Sequence, residues 1–331
     1  MFPGWVFFSQ LTLTSTYFIK KINDGILGLI VGDALGVPVE FQKRSDLGKN
    51  PVTKMSGYGT YHQPPGTWSD DSSMTLCTAD ELSKGYDLDS ITQSYVRWIF
   101  DAHWSPRGQV FDYGGTTMAA LEKVKKGIPL TEAGEKDEYS NGNGSLMRIL
   151  PLLYVTLQME DRKERFKIIR EVSAITHAHL RSCLACFYYL EFAAHLVKEK
   201  DATPVDAYAA ANATFEKLVF ELNVDQQEIE KFHRLLSGDI QELPEDEIRT
   251  EGYVIYTLEA SIWGLLNTNN YKEAVLRSVN LGEDTDTTGA VTGGLAGLYY
   301  GREAIPQEWI EQLARLKDIE EVLVKLEGKY F

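Results

Sequence analysis

The sequence predicts an all-α protein, on three observations. Helical spacing of apolar residues recurs along nearly the whole chain, strand-like alternation is scarce, and two distant segments carry glycines at a four-residue step. The later segment runs Leu281-Gly282-Glu283-Asp284-Thr285-Asp286-Thr287-Thr288-Gly289 and continues through Gly293 and Gly297 to Gly301. The earlier, residues 22–36, carries Gly28, Gly32 and Gly36 and leads into Val37-Pro38-Val39-Glu40. A glycine inside a helix costs about 1 kcal/mol relative to alanine, so a stripe of them calls for a second backbone packed very close. Antiparallel pairing of the two striped helices brings Glu40 near Asp284 and Asp286, in a stretch where three carboxylates and three hydroxyls fall within six positions.

Taken in order, the periodicity predicts helices over 21–36, 73–84, 89–102, 115–126, 144–157, 161–175 and 179–199. Further helices are predicted over 204–220, 225–236, 251–267, 270–281, 287–300, 306–314 and 318–327. Leu222-Asn223 and Thr268-Asn269 are short connections. The segments 41–72, 103–115 and 127–143 are long and rich in Gly, Pro, Ser and Asn, and are expected to line the pocket around the carboxylates. Residues 237–250, with Glu242, Glu245, Asp246 and Glu247, read as a solvated loop. No repeat suggests a solenoid.

With 331 residues, 44% of them hydrophobic, the chain can bury a large core, and the proposed pairing of its two ends argues for one compact unit. Asp plus Glu number 48 against 33 Lys plus Arg, giving −15, which disfavours nucleic acid or an anionic membrane as partners and suits cations. Cys77, Cys183 and Cys186 give no disulfide framework and point to a reducing, cytoplasmic setting. No uninterrupted apolar run reaches the roughly 18 residues of a membrane span. Residues 1–18 are apolar and Thr-rich without the basic start or small-residue cleavage site of a signal peptide, and form an N-terminal extension whose order the sequence leaves open.

A second acidic cluster, Gly66-Thr67-Trp68-Ser69-Asp70-Asp71-Ser72-Ser73-Met74, precedes a helix. Read alone, Asp70 and Asp71 are capping acids at a positive dipole end. Together with Asp284, Asp286 and Glu40 they make five carboxylates that would repel one another unless neutralised. Oxygen donors suit Mg²⁺, Mn²⁺ or Ca²⁺ better than Zn²⁺, and this many acids suits two ions sharing ligands. A rival zinc site is written in Thr-His-Ala-His-Leu-Arg-Ser-Cys-Leu-Ala-Cys, where His177 and His179 precede Cys183 and Cys186; helical cysteines at that step are more often core residues. A membrane pairing of the glycine helices is rejected, because 288–300 is short and flanked by charges.

Gly32-Asp33-Ala34-Leu35-Gly36, Ser69-Asp70-Asp71, Gly142-Asn143-Gly144 with Met147-Arg148, Thr176-His177 and Asp284-Thr285-Asp286-Thr287 occur in that order. The set resembles the ADP-ribosylglycohydrolases, which include dinitrogenase reductase-activating glycohydrolases and ADP-ribosylarginine hydrolases, over residues 20–325. The resemblance implies a single orthogonal multi-helix bundle over residues 19–331 with a binuclear Mg²⁺ or Mn²⁺ centre that removes ADP-ribose from modified protein side chains. By it, Glu40, Ser69, Asp70, Asp71, Asp284, Asp286 and Thr287 are metal ligands, with Glu40, Asp70, Asp71 and Asp286 catalytic. Ser69 and Ser72 stand where many members have threonine, and both keep the hydroxyl.

The loop Tyr139-Ser140-Asn141-Gly142-Asn143-Gly144-Ser145 reads by itself as a turn ahead of a helix, although successive N–H groups at such a place also seat phosphate. In the family it holds the diphosphate, which implies substrate contacts for Ser140, Asn141, Gly142, Asn143 and Gly144. Gly114-Gly115-Thr116, on its own another helix start, is similar to the segment that approaches the distal ribose, so Gly115 and Thr116 are expected there. His177 is expected to donate to ribose or phosphate. The implied reaction is attack on C1″ of the distal ribose by a water that the two metals acidify while holding the ribose hydroxyls, with Glu40 moving between ligation and proton transfer. Arginine is the expected acceptor, because Asp-Thr-Asp-Thr-Thr-Gly resembles the arginine branch more than the serine branch. Hydrolysis of O-linked ADP-ribose, serine adducts included, and a non-catalytic ADP-ribose binder or structural relative are the alternatives.

Overall fold

Caps written in the sequence set where several helices begin. The computed structural model describes residues 5–198 and 202–330, with side chains from Lys21 on. Its longer helices are α1 (Trp5–Gly36), α2 (Asp70–Leu82), α3 (Leu88–Asp101), α4 (Gly115–Lys125), α5 (Arg162–Ser173) and α6 (Leu180–Lys198). They continue as α7 (Pro204–Glu221), α8 (Val254–Leu266), α9 (Tyr271–Val279), α10 (Thr285–Tyr300) and α11 (Leu316–Tyr330). Ser69, Asp87, Asp161 and Asn270 each accept from a first-turn N–H of α2, α3, α5 and α9, a contact that contributes about 1 kcal/mol apiece. Because Ser69 is the cap, α2 starts at Asp70 rather than at 73. Among the described residues there are no strands, only isolated bridges joining Glu135 to His177 and Gly142 to Tyr253. The fold is all-α.

The closest helix pairing is that of α1 with α10, antiparallel as the two glycine stripes require. A Cβ built on Gly32 would stand 2.0 Å from the Gly289 carbonyl oxygen, and one on Gly293 would stand 2.3 Å from that of Gly28. No side chain separates the two backbones there. The Thr285 hydroxyl donates to the Gly36 carbonyl (2.8 Å) and the Tyr271 hydroxyl to that of Gly28 (2.7 Å), fixing the register. Gly301 is outside the stripe: at φ 81° it ends α10, a conformation that favours glycine.

The stretch Lys21–Val39 is long and apolar enough to cross a membrane, yet 89% of it is buried inside the protein. Asp24 and Asp33 interrupt it, which is why a search for unbroken apolar runs passes it over. Every face is covered, by α10 along its length and by α2, α6, α9 and α11 elsewhere. α1 also reaches back to Trp5, into the expected N-terminal extension; residues 1–4 of that extension, Glu199 of the predicted 179–199 helix and Phe331 lie outside the described residues.

Two predicted helices are broken. Over 144–157 the chain makes short 3-10 turns at Asn143–Ser145 and Leu150–Leu152 and one α-turn at Leu153–Thr156. Pro151 has no N–H to give, and the Arg148 guanidinium donates to the Gly144 carbonyl (2.8 Å), so the helical ladder cannot run through. Over 225–236 the chain splits into Gln226–Glu230 and His233–Leu236, with Phe232 turned in against the Phe215 ring (centroids 4.8 Å apart). The long segments after Glu40 and before Ser140 contain the short helices Arg44–Leu47 and Leu130–Ala133.

Candidate active site

The register of α1 on α10 sets the end of one helix beside the start of the other. Phe41 N donates to Glu283 O (2.7 Å) and Glu283 N to Gln42 O (2.8 Å), clipping the segment after Glu40 to the one before Asp284. The start of α2 is the third part: Asp33, on α1, accepts from Ser69 N (2.9 Å) and Ser72 N (3.0 Å). Glu40, Asp112 and Asp286 can each offer a carboxylate oxygen within 4.8 Å of the others, and so can Asp33, Asp71 and Asp286. The two groups share Asp286.

Each acid is held by neighbours that leave some oxygens free. Ser69 Oγ (2.9 Å) and Thr287 Oγ1 (3.3 Å) both donate to Asp71 Oδ2. Thr287 N donates to Asp286 Oδ1 (2.9 Å), Tyr61 OH to Glu40 Oε2 (2.5 Å), and Asn143 Nδ2 to Asp284 Oδ2 (2.7 Å). Asp71 Oδ1 and Asp286 Oδ2 are fully buried and have no hydrogen-bond partner. Burial raises Asp33 to about 7, against the lowering pull of Ser72 and Ser69. Burial and then the nearby Asp112 carboxylate raise Glu40 to about 9. Burial, reinforced by neighbouring acids, holds Asp70, Asp71 and Asp286 well above the carboxylate range; Asp284, half-buried, is raised by burial as well.

Orphaned acid oxygens, an all-oxygen donor set and the lack of any Lys or Arg among the described lining residues fit divalent cations. The folded-state values of these acids lie above their unfolded values, so without cations their contribution favours folding at or below about pH 4. That contribution is lost as pH rises through about 7 and about 9. Chelated protein is expected to melt at progressively lower temperature from about pH 5 to about pH 9, and Mn²⁺ to flatten the slope. A melting temperature in chelator that is level over this range would contradict the assignment.

Opposite the acids lies the loop around Gly142. Cβ atoms built on Gly142 and Gly144 would come 3.6 Å from His177 Nε2 and 2.9 Å from His177 Cε1, so the glycines let backbone and imidazole approach. Acids and loop face each other across a cleft of about 240 Å³ lined by Glu40, Asp70, Asp112, Asp284, Thr287 and His177 among others. A groove of about 620 Å³ near Arg234, Arg249 and Tyr256 is larger but contains neither the acid cluster nor a glycine loop.

This arrangement has relatives of known kind. A profile of the ADP-ribosylglycohydrolase family matches residues 14–330. The chain belongs to the ADP-ribosylglycohydrolase family. It is 31% identical over 327 residues to the ADP-ribosylarginine hydrolase Tri1 of Pseudomonas putida (strain GB-1), covering 98% of this chain and 82% of that one. It is 28% identical over 292 residues to the ADP-ribosyl-[dinitrogen reductase] glycohydrolase of Rhodospirillum rubrum, covering 87% of this chain and 88% of that one. A solved structure described as an ADP-ribosylglycohydrolase-related protein complex superposes with a TM-score of 0.76 at 30% identity, over 95% of this chain and 99% of that one. As a member of this family the protein is a hydrolase of glycosidic bonds.

In this ADP-ribosylglycohydrolase the cleft is lined by Glu40, Asp70, Asp284 and Thr287 of the expected ligands and by Gly115, Thr116, Gly142, Asn143, Gly144 and His177 of the expected substrate residues. Ser69, Asp71 and Asp286 are buried beneath it. Ser140 and Asn141 are outside the lining: Ser140 Oγ donates to Asp137 (2.6 Å), while Asn141 Nδ2 donates to Glu138 O (2.9 Å) and its Oδ1 accepts from Ser182 (2.9 Å). They brace the loop from behind.

Asp112, Tyr61, Thr117 and Gly252 are the residues that sequence reasoning missed, while Asp33 and Met147 stand in quoted motifs without having been given a place at the site. Asp112 lies in one of the long segments expected to line the pocket, at φ 49°, next to Phe111, whose ring packs on Tyr61 (centroids 5.0 Å apart). The zinc alternative is not assembled among the described residues: Cys183 Sγ lies against His177 O (3.8 Å), Cys186 Sγ against Ser145 Oγ (3.5 Å), and His179 Nδ1 accepts from Arg181 N.

Proposed function

We propose that the protein releases ADP-ribose from modified arginine side chains of a protein substrate, using two divalent cations, Mg²⁺ or Mn²⁺, held by Glu40, Ser69, Asp70, Asp71, Asp284, Asp286 and Thr287. The observation that carries the reading is the pair of buried, partnerless oxygens on Asp71 and Asp286 inside a cluster of acids, across a cleft from a glycine loop. The kinship with an ADP-ribosylarginine hydrolase supports arginine as the acceptor. A reducing, cytoplasmic setting suits the three buried free thiols.

When bound, the cations neutralise the acids, offer ligand positions to ribose hydroxyls and acidify water beside C1″. The chain's residues do the rest. Gly142 and Gly144 let the backbone approach a diphosphate, and His177 borders it. Tyr61 engages Glu40 Oε2 and leaves Oε1 to take the proton of the attacking water. The bond formed is C1″ to water oxygen, the bond broken is C1″ to guanidine nitrogen, and the departing nitrogen takes up a proton.

ADP-ribose release from arginine-modified and serine-modified peptides, each with and without chelator, tests the reading. Arginine adducts are expected to be cleaved at least roughly tenfold faster, with chelator stopping both. Preference for serine adducts would move the reading to O-linked bonds, and ADP-ribose binding without turnover would make the protein a binder. Glu40→Gln is expected to lower kcat on the order of 100-fold. Full activity in that variant would refute the role given to Glu40.

A further inference from the structure

The strongest unassigned feature is a buried hydrogen-bond chain that ends on the cleft histidine. Arg148 is fully buried, its guanidinium 4.7 Å from the centre of the Tyr95 ring. Nη1 donates to Gly144 O (2.8 Å) and Nη2 to Thr176 Oγ1 (2.8 Å). Thr176 Oγ1 in turn lies 2.7 Å from His177 Nδ1.

A guanidinium can only donate, so the Thr176 oxygen is an acceptor toward Arg148. The hydroxyl has a single proton, and His177 Nδ1 is the neighbour that can take it. The opposite tautomer would point an Nδ1–H at the same oxygen and strand the hydroxyl proton in a buried place. With Nδ1 accepting, the ring proton sits on Nε2, the nitrogen beside Gly142. We propose that Arg148 and Thr176 are positioning residues that lock His177 in the Nε2–H form, so that it presents a hydrogen-bond donor to an oxygen of ADP-ribose at the 142–144 loop.

The proposal rests on the hydrolase reading for its ligand alone. Burial and the Arg148 charge lower His177 to about 3, which keeps the ring neutral, a donor at one nitrogen and an acceptor at the other. The same guanidinium holds the Gly144 carbonyl, so histidine and loop share one anchor.

Nitrogen-15 correlation spectra of the ligand-free protein, with the His177 signals assigned against His177→Gln, read the tautomer directly. The Nε2–H pattern is expected. Thr176→Val is expected to give a mixed tautomer and to weaken ADP-ribose binding about tenfold by calorimetry, while Thr176→Ser restores both. An Nδ1–H pattern in the wild type overturns the proposal even if Thr176→Val fails to fold, and so does a folded Thr176→Val that binds ADP-ribose within about twofold of wild type. Wild-type protein that binds no ADP-ribose would sink the hydrolase reading and leave the tautomer assignment to its own measurement.

Discussion

Asp286→Asn is expected to lower kcat on the order of 1,000-fold while raising the melting temperature of the chelated protein. Asp286 belongs to both groups of acids, and its Oδ2 is one of the two orphaned oxygens. The amide keeps an acceptor for Thr287 N at Oδ1 but places N–H donors where a cation would sit. It also removes an acid that the cation-free fold must either bury as a charge or protonate well above its unfolded value, which is why that fold gains. Turnover with both substrates and thermal melts with chelator or Mn²⁺ check the pair of effects. Loss of activity together with a lower melting temperature in chelator would mean that Asp286 is structural.

Gly32→Ala is expected to destabilise the protein by more than about 4 kcal/mol, enough to leave little soluble enzyme. The added methyl would fall 2.0 Å from the Gly289 carbonyl oxygen and 2.6 Å from its carbon, backbone atoms that cannot turn aside. Gly328→Ala is the control: it lies in α11 with nothing within 4 Å of a built Cβ, and is expected to be neutral or to stabilise by up to about 1 kcal/mol. Urea unfolding of the two variants measures the contrast. A Gly32→Ala protein of near wild-type stability would show that the α1–α10 spacing can relax.

The pairing was legible because a four-residue glycine step is a local pattern with one physical use, and both partners carry it. The acids were legible where they cluster, as in Ser69-Asp70-Asp71 and Asp284-Thr285-Asp286-Thr287. Asp112 was not, since one carboxylate between Phe111 and Tyr113 has no spacing to mark it, and only folding sets it against Glu40. Tyr61 was hidden for the same reason. The 144–157 helix failed because apolar periodicity outweighed Pro151, the residue that ends the ladder. The 140–141 positions show a different limit: a motif locates a loop, but which of its side chains face inward depends on partners such as Asp137 and Ser182.

The clasp between Thr285 and Gly36 joins residues 249 apart in sequence. Because α10 supplies Asp286, a ribosome must extrude the polypeptide past that helix before the earliest acids meet their counterparts. Nascent or prematurely terminated chains that stop short of it lack the carboxylate common to both groups of acids, and under the proposed function they are expected to release no ADP-ribose.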